Sequence, residues 1–99
     1  MSKSKCRTQK ESADRLMRKL FLDQIGSLTE SDIEREFEKY GEIEEVARIQ
    51  DRRNPNRAFA FVVYTDATAC CAATRNMFPV IRGQTCKCML AALGQPYSG

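Results

Sequence analysis

The run Arg57-Ala58-Phe59-Ala60-Phe61-Val62-Val63-Tyr64 leaves this chain few ways to fold. It is dense in aromatic and β-branched residues, which suit a pleated, packed surface, and it reads as a central strand. Side chains on a strand alternate between faces. Arg57, Phe59, Phe61 and Val63 therefore share one face, and Ala58, Ala60, Val62 and Tyr64 share the other. The second set can pack on helices. The first set lines up a cation and two flat rings, with no evident protein layer to cover them. Such a row suits a nucleotide chain, because guanidinium pairs with phosphate and rings stack on bases.

The rest of the sequence must supply the cover for one face only. Lys19 to Ile25 reads as a first strand, with Leu20 and Leu22 on one side and Phe21 and Asp23 on the other; Gly26 ends it. Thr29 can cap a helix whose first turn is acidic, and Ile33, Phe37 and Tyr40 form its apolar stripe. Gly41 stops that helix. Ile43 to Gln50 is a second strand with no clean apolar face, so a bulge is expected. Asp51 to Asn56 is a loop by its Asn and Pro content. A second helix starts at Asp66, with Ala69, Ala73 and Met77 repeating every four residues, and Pro79 forbids its continuation. Arg82-Gly83-Gln84 makes a turn, and Thr85 to Leu90 is the last strand. The order β-α-β-β-α-β over residues 19–92 predicts a ferredoxin-like α+β sandwich: a four-stranded antiparallel sheet with two helices on one face. In that fold Phe21 neighbours Phe59 and Phe61, and all three rings are expected bare on the open face. Arg48 falls where an aliphatic residue belongs under the sheet, which puts the register of the second strand in question.

Charge is distributed unevenly. The net charge of +3 implies nothing alone, but Lys3, Lys5, Arg7, Lys10, Arg15, Arg18 and Lys19 crowd the start of the chain. Eight of the 13 acidic residues lie between Glu30 and Glu45, so negative charge is expected beneath the sheet, away from the open face. Residues 1–14 read as a basic flexible arm, 15–93 as the domain and 94–99 as a flexible tail. Ala13, Leu16 and Met17 could form a short turn that lies over the open face.

The five cysteines, odd in number, read as reduced thiols of a nuclear or cytosolic protein. Cys86 and Cys88 read as small core residues on one face of a strand, not as a metal site, since histidine is absent and no second pair stands at ligand spacing. No cofactor is expected. No apolar run approaches the roughly 20 residues that span a bilayer. Without histidine, a glycine-rich loop or an acid–base pair, catalysis is not expected either.

Residues 57–64 resemble the longer ribonucleoprotein signature of the RNA recognition motif family at every place but the second, where Ala58 stands for glycine. Leu20-Phe21-Leu22-Asp23-Gln24-Ile25 is similar to the shorter signature, with Gln24 for Asn and Ile25 for Leu. The resemblance implies single-stranded RNA binding by a monomeric domain, in RNA processing or mRNA regulation. It implies that Phe21 and Phe59 each stack a base, that Phe61 wedges against a sugar or base edge, and that Arg57 pairs a phosphate. Gln50, Lys87 and Met89 are then flanking sheet contacts, and Arg52 and Arg53 add phosphate contacts from the loop. Other ribonucleoprotein components are candidate partners, and the nucleus is the expected compartment, with the cytoplasm as the alternative. The competing reading is a family member that binds a peptide instead of RNA.

Overall fold

The computed structural model describes residues 13–54 and 57–93. Most of the basic arm, Pro55 and Asn56 of the loop, and the tail from 94 to 99 lie outside the described residues. The elements in order are α1 (Ala13–Met17), β1 (Lys19–Asp23), α2 (Glu30–Phe37), β2 (Ile43–Gln50), β3 (Ala58–Tyr64), α3 (Ala67–Ala73), β4 (Val80–Ile81), β5 (Gln84–Thr85) and β6 (Lys87–Leu90). Single 3₁₀ turns follow α2 at Glu38–Tyr40 and β6 at Ala91–Leu93. The sheet runs β2-β3-β1-β6, antiparallel throughout, so the two strands with ring side chains are its inner pair.

The core lies on the helix side of the sheet. Leu20, Leu22, Ala60, Val62, Tyr64 and Cys88 meet Ile33, Phe37, Ala69 and Ala73, all of them buried, together with Cys86. The Tyr64 hydroxyl crosses this layer and donates to the Phe37 carbonyl at 2.7 Å. Helix α2 begins where the sequence places it. The Thr29 hydroxyl accepts from the Asp32 amide, and the Asp32 carboxylate accepts from the Thr29 amide, at 3.1 and 3.0 Å. That second bond, first among its causes, holds the Asp32 carboxyl below its usual range. At the other end of the helical segment Gly41 lies against α3: a Cβ on it would sit 2.6 Å from the Ala69 Cβ.

Several boundaries differ from expectation. Strand β1 ends at Asp23, because Gln24 takes a positive φ of 61° and turns the chain. Helix α3 ends at Ala73, short of Met77. The Thr74 hydroxyl donates to the Cys70 and Cys71 carbonyls, and Met77 is half exposed instead of continuing the Ala69–Ala73 stripe. Thr85 belongs to a two-residue hairpin, β4–β5, and the last sheet strand starts at Lys87.

Strand β2 carries the expected irregularity, a register shift between Ile43 and Glu45. Beyond it Arg48 does point to the helix side, but toward the sheet's end. Its Nε donates to the Leu28 carbonyl at 2.6 Å and its Nη2 to the Gly26 carbonyl at 3.0 Å. It ties the loop after β1 to the edge strand, which explains a cation at an under-sheet position.

Candidate nucleic-acid interface

The registers turn the helix-free face into a grid. One row across the strands is Ala47, Phe61, Phe21 and Met89; the next is Ile49, Phe59, Asp23 and Lys87; a third holds Glu45, Val63 and Lys19. The three rings are thus brought together as expected. Phe21 lies 5.3 Å from Phe59 and 5.6 Å from Phe61 between ring centroids, and Phe59 and Phe61 meet edge to face at 6.1 Å.

They are not equally open, which corrects the expectation of three bare rings. Phe21 is only 2% exposed. It stands on an inner strand between the Phe61 and Met89 columns, with the Phe59 ring close by. Phe59 and Phe61 are half-buried. Val63, on the same face, is buried as well. Lys19 adds a cation to the face, its Nζ 4.1 Å from the Phe61 centroid.

Arg57 leads the row as expected, half exposed, at the end of the sheet where β1 stops. Its Nη2 donates to the Asp23 carboxylate at 3.3 Å. Gln50 does not join this face as expected: it is in register with Ala58 on the helix side, where its amide donates to the Arg57 carbonyl at 3.0 Å and its oxygen accepts from Arg48. Arg52 and Arg53 are exposed on the loop. The Asp51 carboxylate shapes that loop by accepting from the Arg53 and Asn54 amides. Lys87 and Met89 flank the rings on β6, half-buried.

Arg15 and Arg18, from the basic cluster at the start of the chain, are engaged by acidic side chains. They project from α1 and its end onto the start of β2. Arg15 pairs with Glu44 and Glu45 at 3.3 and 2.6 Å. Arg18 pairs with Glu44 at 2.8 Å and Asp14 at 3.0 Å, and it donates to the Tyr64 carbonyl. The hydrogen bond to Glu44, first among its causes, raises the Arg18 pKa further. Helix α1 is therefore latched at the end of the sheet where β3 finishes. Sequence reasoning did not find this, although the excess of acid near β2 was a signal.

A sheet with two covering helices on one side, and aromatic signature positions on its two inner strands on the other, defines a class. The family model for the RNA recognition motif matches residues 26–78, and the chain belongs to that family. The match takes in the longer signature on β3 but not β1. Among known proteins, RNA-binding protein 24 of Danio rerio is 37% identical over 67 residues, which is 67% of this chain and 29% of that protein. The probable RNA-binding protein ARP1 of Arabidopsis thaliana is 37% identical over 59 residues, 59% of this chain and 23% of that protein. The chain thus spans less than a third of the length of these relatives. Among solved structures, the third RNA recognition motif of Mip6 superposes with a TM-score of 0.65 at 18% identity, covering 76% of this chain and 94% of that one. The Rna15 motif with bound RNA (GU) gives 0.62 at 22%, covering 76% and 83%. At these identities the structures establish the ferredoxin-like fold.

Proposed function

We propose that this domain binds single-stranded RNA on the helix-free face of its sheet, as a binding module and not a catalyst. The observation that carries the reading is the pair of half-buried rings, Phe59 and Phe61, side by side on an inner strand that Arg57 leads. Their relatives' names as RNA-binding proteins point the same way. Phe59 stacks one base and Phe61 lies against a sugar or a second base, while the covered Phe21 packs beside both. Arg57, Arg52 and Arg53 meet phosphates, and Lys87 and Met89 flank the strand of RNA. The role is RNA processing or mRNA regulation, in the nucleus or the cytoplasm.

Each ring–base stack is worth about 1–3 kcal/mol. The variant Phe59→Ala/Phe61→Ala is therefore expected to bind short RNA tens-fold more weakly while its amide spectrum stays that of a folded domain. Unchanged affinity in the folded variant contradicts the stacking model.

A peptide-binding role has one observation in its favour. An apolar groove of about 640 Å³ runs between α3 and β6, lined by Met17, Cys71, Met77 and Leu90 among others. A peptide partner whose binding perturbs these residues, in a domain that ignores RNA, would favour that reading.

A further inference from the structure

We infer that Asp23 makes this face select guanine, its carboxylate reading the edge of the base that stacks on Phe59. The inference rests on the RNA reading above and names the ligand more narrowly.

A carboxylate is an odd occupant for a surface that meets a polyanion. Yet Asp23 stands on the inner strand β1, in register with Phe59 on one side and Lys87 on the other. Its side chain is 17% exposed. With Gln24, Gly26, Arg57 and Ala58 it lines a depression of about 360 Å³ where β1 ends. Two contacts fix it in place. Oδ1 accepts the Gln24 amide at 2.8 Å, and Oδ2 accepts from Arg57 at 3.3 Å.

An ionised carboxylate has about four lone-pair sites and no donor. These two contacts use one site on each oxygen, which leaves one on each. The group repels phosphate and can only accept, from an N–H of a base or from a ribose hydroxyl. Guanine alone among the four bases presents two neighbouring N–H donors on one edge, N1–H and N2–H. Uracil offers a single N–H between two carbonyls. Adenine and cytosine offer an amino group beside a ring acceptor, which a carboxylate repels. Neighbouring strands lie about 4.8 Å apart, so a base lying flat on the Phe59 ring brings its edge to the carboxylate one strand over. Arg57 keeps the carboxylate oriented, and its remaining N–H groups stay available to phosphate.

The test uses the whole chain and short oligouridines that carry one guanosine, one inosine or neither. Inosine lacks the N2 amino group and keeps N1–H. A good two-point base contact discriminates by about 5- to 150-fold. The wild type is expected to bind the guanosine oligomer tighter than the uridine-only one by a factor in that range, with inosine between them. In Asp23→Asn the guanosine preference, read as the ratio of the guanosine and uridine-only affinities within that variant, collapses toward one. Amide spectra establish that the variant is folded, and Asp23→Ser repeats the measurement should it not be. A wild type without guanosine preference, or a folded variant that keeps it, overturns the inference and leaves RNA binding standing. Failure to bind any oligomer overturns RNA binding and the inference together.

Discussion

Tyr64 and Phe21 mark the two sides of one sheet, and each has a cost of removal set by what lies around it. The Tyr64 hydroxyl is enclosed and donates to the Phe37 carbonyl, and burial pushes its pKa well above the usual phenol value. Tyr64→Phe leaves that buried carbonyl without its donor and is expected to cost about 1–3 kcal/mol in denaturant unfolding. Phe21 sits on the proposed binding face but is covered like a core residue. Phe21→Ala is accordingly expected to lose about 3–5 kcal/mol of stability, whereas the Phe59→Ala/Phe61→Ala variant stays folded. Equal, small stability losses in the two variants would show that Phe21 does not act as a core residue.

At the scale of elements, the contact between the end of α2 and the start of α3 depends on an absent side chain. Gly41→Ala would place a Cβ within 2.6 Å of the Ala69 Cβ. Forced overpacking of this kind costs about 1–3 kcal/mol, readable in the unfolding midpoint. The α1 latch calls for a different experiment. Arg15→Ala/Arg18→Ala is expected to speed amide exchange in residues 13–17 and to leave the salt dependence of RNA binding as it was. Loss of Arg57 should reduce that dependence, since its guanidinium, with those of Arg52 and Arg53, is placed to release counterions from phosphate.

These elements also show what the sequence could reveal. Thr29, the Ile33–Phe37–Tyr40 stripe and the alternation along residues 57–64 are local signals, and each led to the element found. The early end of α3 was hidden, because a threonine turning its hydroxyl onto its own helix carries no apolar signature. The β4–β5 hairpin is too short to have a period. The cover over Phe21 and the pull of Glu44 and Glu45 on Arg15 and Arg18 are long-range events, which a one-dimensional charge or ring count does not contain.

On the scale of the molecule, charge and burial set how the protein responds to its medium. The acidic helix α2 lies beneath the sheet and Arg52, Arg53 and Arg57 stand at its far end, so RNA affinity is expected to fall as salt rises. The buried thiols bear on pH. Burial raises Cys70 and Cys86 to about 11 and Cys88 to about 12, from 9.0. Above pH 9 the unfolded chain sheds these protons while the folded one keeps them. Unfolding then releases protons, and stability falls as pH rises from about 9 toward 12. Urea midpoints at pH 7 and pH 10 check this, with a lower midpoint expected at pH 10.

The most direct measurement is a titration of the labelled protein with short single-stranded RNA, read residue by residue in NMR shifts. The largest shifts are expected at Phe59, Phe61, Asp23, Arg57 and Lys87, and small ones along α2 and α3. Shifts confined to the helices and the Met17–Met77 groove, or none at all, would contradict RNA binding on the sheet face.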